Sequence, residues 1–229
     1  QYRMIENIGN LISKVFYRGI IDTGCNDDEK RHGLNRYVGK SIVWFDTSAN
    51  KKKSQKRTKG GSYINEEEKR IILEILDDLK STGELKGLDI GIITGYSGQK
   101  ELLRKSIKAT GLDKIASKID INTLDAFQGR ENDIIIYSTV RTRDSIGFQK
   151  EKERVNVAFS RAKKLLIVCG DKNFFYNFDD QDNKFVEIID YISEGEECEI
   201  IQCDGGKLFE REFIKIRSYQ SGNSAERRT

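Results

Sequence analysis

The chain has 229 residues, of which 37% are hydrophobic and 34% charged, and its net charge is +3. This composition supports a packed core and excludes a disordered or fibrous chain. No run approaches the roughly 18 apolar residues of a membrane helix and no signal-peptide pattern opens the sequence, so no membrane partner and a cytoplasmic location are expected. The charge is unevenly placed: residues 179–212 hold twelve acidic and three basic side chains, which leaves +12 on the remainder. A basic body of this kind suits a polyanionic partner. Cys25, Cys169, Cys198 and Cys203 form no C-x₂-C pair and only His32 could join them, so reduced thiols are expected and no metal site. Gln1 rather than Met opens the chain, and a piece of a longer protein is expected.

Strand and helix signals alternate along the sequence. Ser41–Phe45 is a short β-rich run. Asn65 is placed to cap a helix, with Glu68 at the capping-box position and Ile71, Ile72, Ile75, Leu76 and Leu79 on one face. Ile90–Ile93 predicts a second strand, and Leu102, Leu103 and Ile107 a helix stopped by Gly111. Ile119–Ile121 starts a third strand. Ile134–Tyr137 and Leu165–Cys169 are apolar on both faces, as parallel strands covered on both sides must be. Between them a helix is expected from about Lys152 to Lys163. The β-α-β-α order predicts an α/β domain with a mostly parallel sheet between helical layers, whose ligands gather beyond the carboxyl ends of the strands. After Cys169, Phe185–Ile192 reads as an amphipathic helix and Glu199–Cys203 as an edge strand. The last ten residues carry no apolar pattern and are expected to be flexible.

Two segments are dense in ligand-type chemistry. Ile121–Asp133 lies between two strands and surrounds Gly129, whose backbone can approach a phosphate closely, while Thr123 offers a hydroxyl at a strand end. A plain polar connection is an equal alternative on spacing alone. In Arg154–Lys163, helical spacing sets Arg154, Asn156, Arg161 and Lys163 among small apolar residues. A lone arginine there is most often a solvated surface residue; the functional reading is a guanidinium aimed at a γ-phosphate. The run Lys51–Lys59 holds six positive charges and no negative ones, and is read first as a mobile solvated loop.

Taken together, these segments resemble the second motor domain of superfamily 1 helicases, in the subgroup that includes the nonsense-mediated-decay helicase. Gln1–Met4 with Ser13–Tyr17 is similar to the family's motif IV region. Gly61–Asn65 and Thr94–Gln99 resemble two further blocks, Thr123–Asp133 resembles motif V and Arg154–Lys163 motif VI. The match runs from Gln1 to about Asp171. The resemblance implies a three-layer α/β/α RecA-like domain of the P-loop NTPase type over residues 1–210, followed by an extension over 211–229. It implies that Arg3 and Arg161 are arginine fingers, that Tyr2 lies near the nucleotide and that Glu131 accepts from the ribose hydroxyls. Thr94, Tyr96, Gln99, Thr123, Gln128 and Gly129 would hold a single strand of RNA or DNA. ATP and Mg²⁺ are implied, held mainly by the first RecA-like domain of the same protein.

Two departures stand out: Ile5-Glu6 where His-Pro is common, and Gly95 where proline is common. No G-x-x-x-x-G-K-S/T loop occurs in these residues, so the chain is expected to hold half of an ATP site. The alternative is a noncatalytic nucleic-acid- or partner-binding module that keeps the fold. Arg3, Glu131 and Arg161 weigh against it, because binding alone needs no γ-phosphate sensor.

Overall fold

The computed structural model describes residues 1–22, 24, 31–84, 87–112, 119–127 and 129–209. Cys25, Gln128 and the whole 211–229 extension therefore lie outside the described residues. Six strands form one sheet: β1 (Ile42–Asp46), β4 (Ile90–Thr94), β5 (Ile119–Thr123), β6 (Asn132–Ser138), β7 (Ala162–Gly170) and β8 (Cys198–Gln202). Their order is β5-β4-β6-β7-β1-β8, and every neighbouring pair is parallel. The helices are α1 (Glu6–Tyr17), α2 (Glu66–Ser81), α3 (Ser97–Ala109), α4 (Lys152–Phe159), α5 (Lys172–Tyr176) and α6 (Phe185–Glu194).

Alternation along the strands divides the core in two. Ile42 and Trp44 of β1, Ile135 and Tyr137 of β6, and Leu166 and Val168 of β7 face α1, α4 and α6. Val43, Phe45, Ile134, Ile136, Leu165 and Ile167 face α2 and α3. Both faces are thus closed by helices, which gives the three-layer α/β/α arrangement of a RecA-like domain. Trp44 is fully buried and its indole N–H donates to Gly170 O at 3.1 Å, so its one polar atom is paired.

Three local readings are corrected. The expected helix to Lys163 ends at Phe159. Ala162 pairs with Asn132 and draws Lys163 into β7, leaving Arg161 in the turn between them. The 6–17 helix has no counterpart in the sequence reading, although Ile8, Leu11, Ile12 and Val15 make it amphipathic. The basic run is an anchored element and not a loose loop. Lys53 pairs with the buried Asp171 at 2.7 Å, and Gln55 and Thr142 exchange hydrogen bonds of 3.1 and 2.9 Å. Within it, β2 (Lys56–Arg57) pairs with β3 (Tyr63–Ile64) in a two-stranded antiparallel ribbon. Gly98 lets that ribbon sit on the first turn of α3, because a Cβ there would come within 3.1–3.2 Å of Thr58, Ser62 and Ile64.

Close packing at the sheet's carboxyl edge makes one glycine irreplaceable. A Cβ at Gly170 would lie 2.0 Å from Thr139 Oγ1 and 3.0 Å from Thr139 Cβ. Gly170→Ala should lower the unfolding free energy by about 1–3 kcal/mol, the usual cost of overpacking. Urea unfolding of the two proteins measures this, and equal midpoints would mean that Thr139 yields freely.

Candidate nucleotide cleft and single-strand edge

The residues singled out from the sequence fall on two opposite edges of the sheet. Glu131 and Arg161 immediately precede β6 and β7, and Asn132 N donates to Arg161 O at 3.1 Å, so both stand at the amino edge. Arg3 joins them because Ile5 N donates to Lys163 O at 2.8 Å, tying the first residues to the start of β7. Arg3 Nε lies 2.5 Å from Glu131 Oε2, and Lys163 Nζ lies 3.7 Å from Glu131 Oε1. These three residues stand at the edge opposite to the carboxyl ends where ligand groups were expected, because the turn before each strand presents them.

Arg161 is half-buried. Its Nε donates to Val157 O at 3.1 Å and its Nη1 to Arg130 O at 3.3 Å. Nη2 has no hydrogen-bond partner among the described residues. Burial lowers the Arg161 pKa from its ordinary value and the nearby Arg3 lowers it further, while Glu131 opposes both. Arg3 and Lys163 both contact the single Glu131 carboxylate, and with Arg161 close by at a partly desolvated site they leave positive charge that an anion would balance. Arg3 and Arg161 line a cleft of about 260 Å³ together with Gln1, Asn156 and Ser160. Tyr2 is 81% exposed beside it, its ring against Gly24. Charge, planar donors and room therefore suit a polyphosphate. Among the described residues, no group of three or more His, Cys, Asp and Glu is placed to hold a metal ion.

The opposite edge carries Thr94, Thr123 and Ser138, which lie in one register row across β5, β4 and β6. Three of the residues expected to touch a strand are buried here: Thr94, Tyr96 and Gln99. The Gln99 amide is fully used inside the protein. Its Oε1 accepts from Asn65 N at 2.9 Å, and its Nε2 donates to Asn65 O at 3.2 Å and Ser138 Oγ at 3.1 Å. Thr94 Oγ1 accepts from Tyr96 N at 3.4 Å. Thr123 is half-buried, and Gly129 is exposed with a φ of +84°, a conformation that glycine adopts without strain.

A brace that sequence reading missed shapes this edge. Asn65 Oδ1 caps α2 by accepting from Glu67 N and Glu68 N at 3.1 Å, as expected. The second half of the capping box does not form, because Gln99 already holds Asn65 N. Glu68 instead reaches across to β6. Its carboxylate accepts from Ser138 Oγ at 2.6 Å, Thr139 Oγ1 at 3.1 Å and Val140 N at 2.8 and 2.9 Å. Val140 has φ +70°, a strained conformation for a β-branched residue, and a strongly held N–H stabilises it. Arg141 follows, with its guanidinium 4.2 Å from the Tyr63 ring centroid. The sequence signal was an apolar strand ending in Ser-Thr-Val-Arg, four residues with no evident core role.

One family profile, described as an AAA domain, matches residues 1–173. Helicase SEN1 of Saccharomyces cerevisiae is 36% identical over 181 residues, covering 74% of this chain and 8% of that protein. The regulator of nonsense transcripts 1 homolog of Neurospora crassa is 32% identical over 182 residues, covering 75% and 16%. An uncharacterized ATP-dependent helicase of Methanocaldococcus jannaschii, MJ0104, is 32% identical over 208 residues, covering 86% and 29%. The chain thus spans less than a third of the length of each of these relatives.

Burial pushes the Glu68 carboxyl up to about 8, against hydrogen bonds that favour its charged form. A carboxyl whose folded pKa is raised stabilises the fold below its unfolded pKa, and that contribution fades as pH rises to the folded pKa. The stability of the wild type relative to Glu68→Gln, which cannot titrate, should therefore fall between pH 4.5 and about 8. Thermal unfolding of both proteins across that range is the measurement. A constant difference would show that Glu68 does not titrate there.

Proposed function

The chain belongs to the AAA domain family as a superfamily 1 helicase domain of the group that includes the nonsense-mediated-decay helicase, and from that premise we propose that residues 1–210 are the second RecA-like motor domain of an ATP-dependent translocase on single-stranded nucleic acid. The observation that carries this reading is the separation of its chemistry: Arg3, Glu131 and Arg161 at the amino edge, Thr94 and Thr123 at the carboxyl edge.

In this reading the Arg3–Arg161 cleft faces the first RecA-like domain of the same protein, which holds most of the ATP and Mg²⁺. When bound, ATP supplies a γ-phosphoryl group whose transfer spreads charge over its oxygens. Arg161 is oriented for that charge by its bonds to Val157 O and Arg130 O, which leave Nη2 to point elsewhere. Arg3 reaches the phosphates by exchanging its contact with Glu131. That exchange also frees Glu131 to accept from ribose hydroxyls, so the two residues respond to nucleotide together. At the other edge, Thr123 and the loop after Thr94 take the sugar-phosphate backbone, while Gln99 and Glu68 hold the neighbouring end of β6 from inside; Gly129, next to Arg130, lies toward the amino edge. Domain closure and release then shift these contacts along the strand.

Arg161→Lys in the full-length protein should cut kcat on the order of 10³- to 10⁵-fold, the usual contribution of an arginine finger, while nucleotide Kd changes much less. Lysine keeps the charge but loses the planar fork and its two backbone anchors. Steady-state turnover beside nucleotide titration tests this, with thermal unfolding to verify folding; a normal kcat in a folded variant would refute the finger. Binding of this domain to single strands should be weak, independent of sequence and salt-sensitive, with a log–log slope of about −0.7 per neutralised phosphate. Fluorescence titration at several salt concentrations would reject the strand contacts if affinity ignored salt.

A further inference from the structure

The carboxyl edge holds one large aromatic ring that the reading above leaves without a role. Phe148 is 44% exposed, in a turn (Gly147–Lys150) between β6 and α4.

Its position is built by its neighbours. The Phe148 and Tyr96 ring centroids lie 5.6 Å apart at 48°, and Tyr96 in turn meets Tyr63 edge-on at 5.7 Å. One glycine makes this approach possible. A Cβ at Gly147 would fall 2.2 Å from Tyr96 Oη, and Gly147 has φ +63°, so its side chain is excluded twice over. Gly95, directly after Thr94, lies against Phe148 Cδ2 and Cβ, where a Cβ would meet them at 3.7 and 3.9 Å. The Arg154 guanidinium stands 5.1 Å from the Phe148 centroid and 3.7 Å from Asp125, two residues beyond Thr123. Phe148 is therefore seated between the two loops assigned to the strand backbone. Tyr96, the aromatic in the expected site, is 5% exposed and cannot offer its ring to a ligand. Among the described residues, Gln149 Oε1 beside it is buried without a hydrogen-bond partner.

We propose that Phe148 is a base-stacking residue: seated on Tyr96 and Gly95 and flanked by Arg154, its exposed ring receives one nucleobase of a single strand. An aromatic face accepts any base, so the contact adds affinity without sequence preference. The guanidinium of Arg154 adds positive charge beside the stacked ring. The inference rests on the single-strand reading of this edge and supplies what phosphate contacts cannot, a sensor of whether the strand carries bases.

The test crosses four side chains at position 148 with two strands. A fluorescein-labelled oligothymidylate and an abasic strand of the same length are titrated against wild type, Phe148→Ala, Phe148→Leu and Phe148→Trp. Wild type should prefer the base-bearing strand by roughly five- to hundredfold, the range that alanine substitution gives for one base–aromatic stack. Phe148→Ala should lose that preference while binding the abasic strand as wild type does. Phe148→Leu keeps an apolar side chain on Tyr96 but has no aromatic face, and should lose the preference too; Phe148→Trp should keep it. A preference that survives in the Leu variant, or an equal loss on both strands, overturns stacking while leaving single-strand binding intact. Failure of wild type to bind either strand overturns the underlying reading of this edge and the stacking proposal with it.

Discussion

Strands β5 and β6 are parallel and flank β4, so the chain that leaves Thr123 at the carboxyl edge must regain the amino edge before Asn132. Parallel crossovers ordinarily take a dozen or more residues and a helix. Residues 124–131 do it with a single 3₁₀ turn, Asp125–Phe127. The turn is pinned at its start by Leu124 N donating to Thr94 O at 3.1 Å. It lies flat on the sheet because β4 has Gly91 beneath it: a Cβ there would fall 2.6 Å from Phe127 Cζ and 2.8 Å from Asn132 Oδ1. The same short segment therefore carries Thr123 at one end and Glu131 at the other. Any change in the Glu131–Arg3 contact acts on a connection with little slack, whose far end borders the strand loops. That short connection joins the two edges directly, with Leu124 and Phe127 packed into the core.

The carboxyl edge depends on a second constraint, electrostatic in origin. Glu68 is fully removed from water, which penalises its charge, yet all four of its hydrogen bonds come from donors, which favours it. The balance sets how firmly Val140 is held in its left-handed conformation. Arg141 leaves the sheet where that conformation sends it, toward Tyr63. Burying an ionisable carboxyl to fix a loop exchanges stability for geometry. Gln99 belongs to the same network through Ser138, which accepts from its amide and donates to Glu68. Its place in the Thr94–Gln99 block is thus accounted for by support of the edge from within.

Periodicity made the sheet legible. Strands β6 and β7 are apolar on both faces because both faces are covered, and the sequence shows those runs without ambiguity. The helical face of Ile71–Leu79 and the Asn65 cap were equally plain. What the sequence hid were effects of pairing and distance. Arg161 and Lys163 carry a helical pattern that pairing with β6 overrides, since Ala162 gains a ladder partner in Asn132. Glu68 satisfies a local capping rule, but its side chain was claimed by a strand seventy residues away. The basic run looks solvated because its acidic partner, Asp171, is remote in sequence. The amino-edge location of Arg3, Glu131 and Arg161 was invisible for the same reason. Motifs give residue types in order, whereas the edge on which each falls follows from where strands begin.

Charge placement follows from strand order as well. The acidic stretch supplies α6 and the approach to β8, which is the edge strand farthest from β5. Glu187, Asp190 and Glu194 of α6 and Glu196, Glu197 and Glu199 around β8 concentrate negative potential on that flank. The remainder, including Lys51–Lys59 and the β4–β5 loops, bears the positive excess. A polyanion meets repulsion along one side of the domain and attraction along the other, so its approach is biased toward the edge that carries Thr123. At physiological salt the field reaches only about 8 Å, so it cannot by itself choose a binding register. Short-range groups at the β4 and β5 loop ends lie on the flank that the field favours. Strand order thus keeps that flank clear of the acidic segment, with the Arg3–Arg161 cleft at the opposite end of the strands.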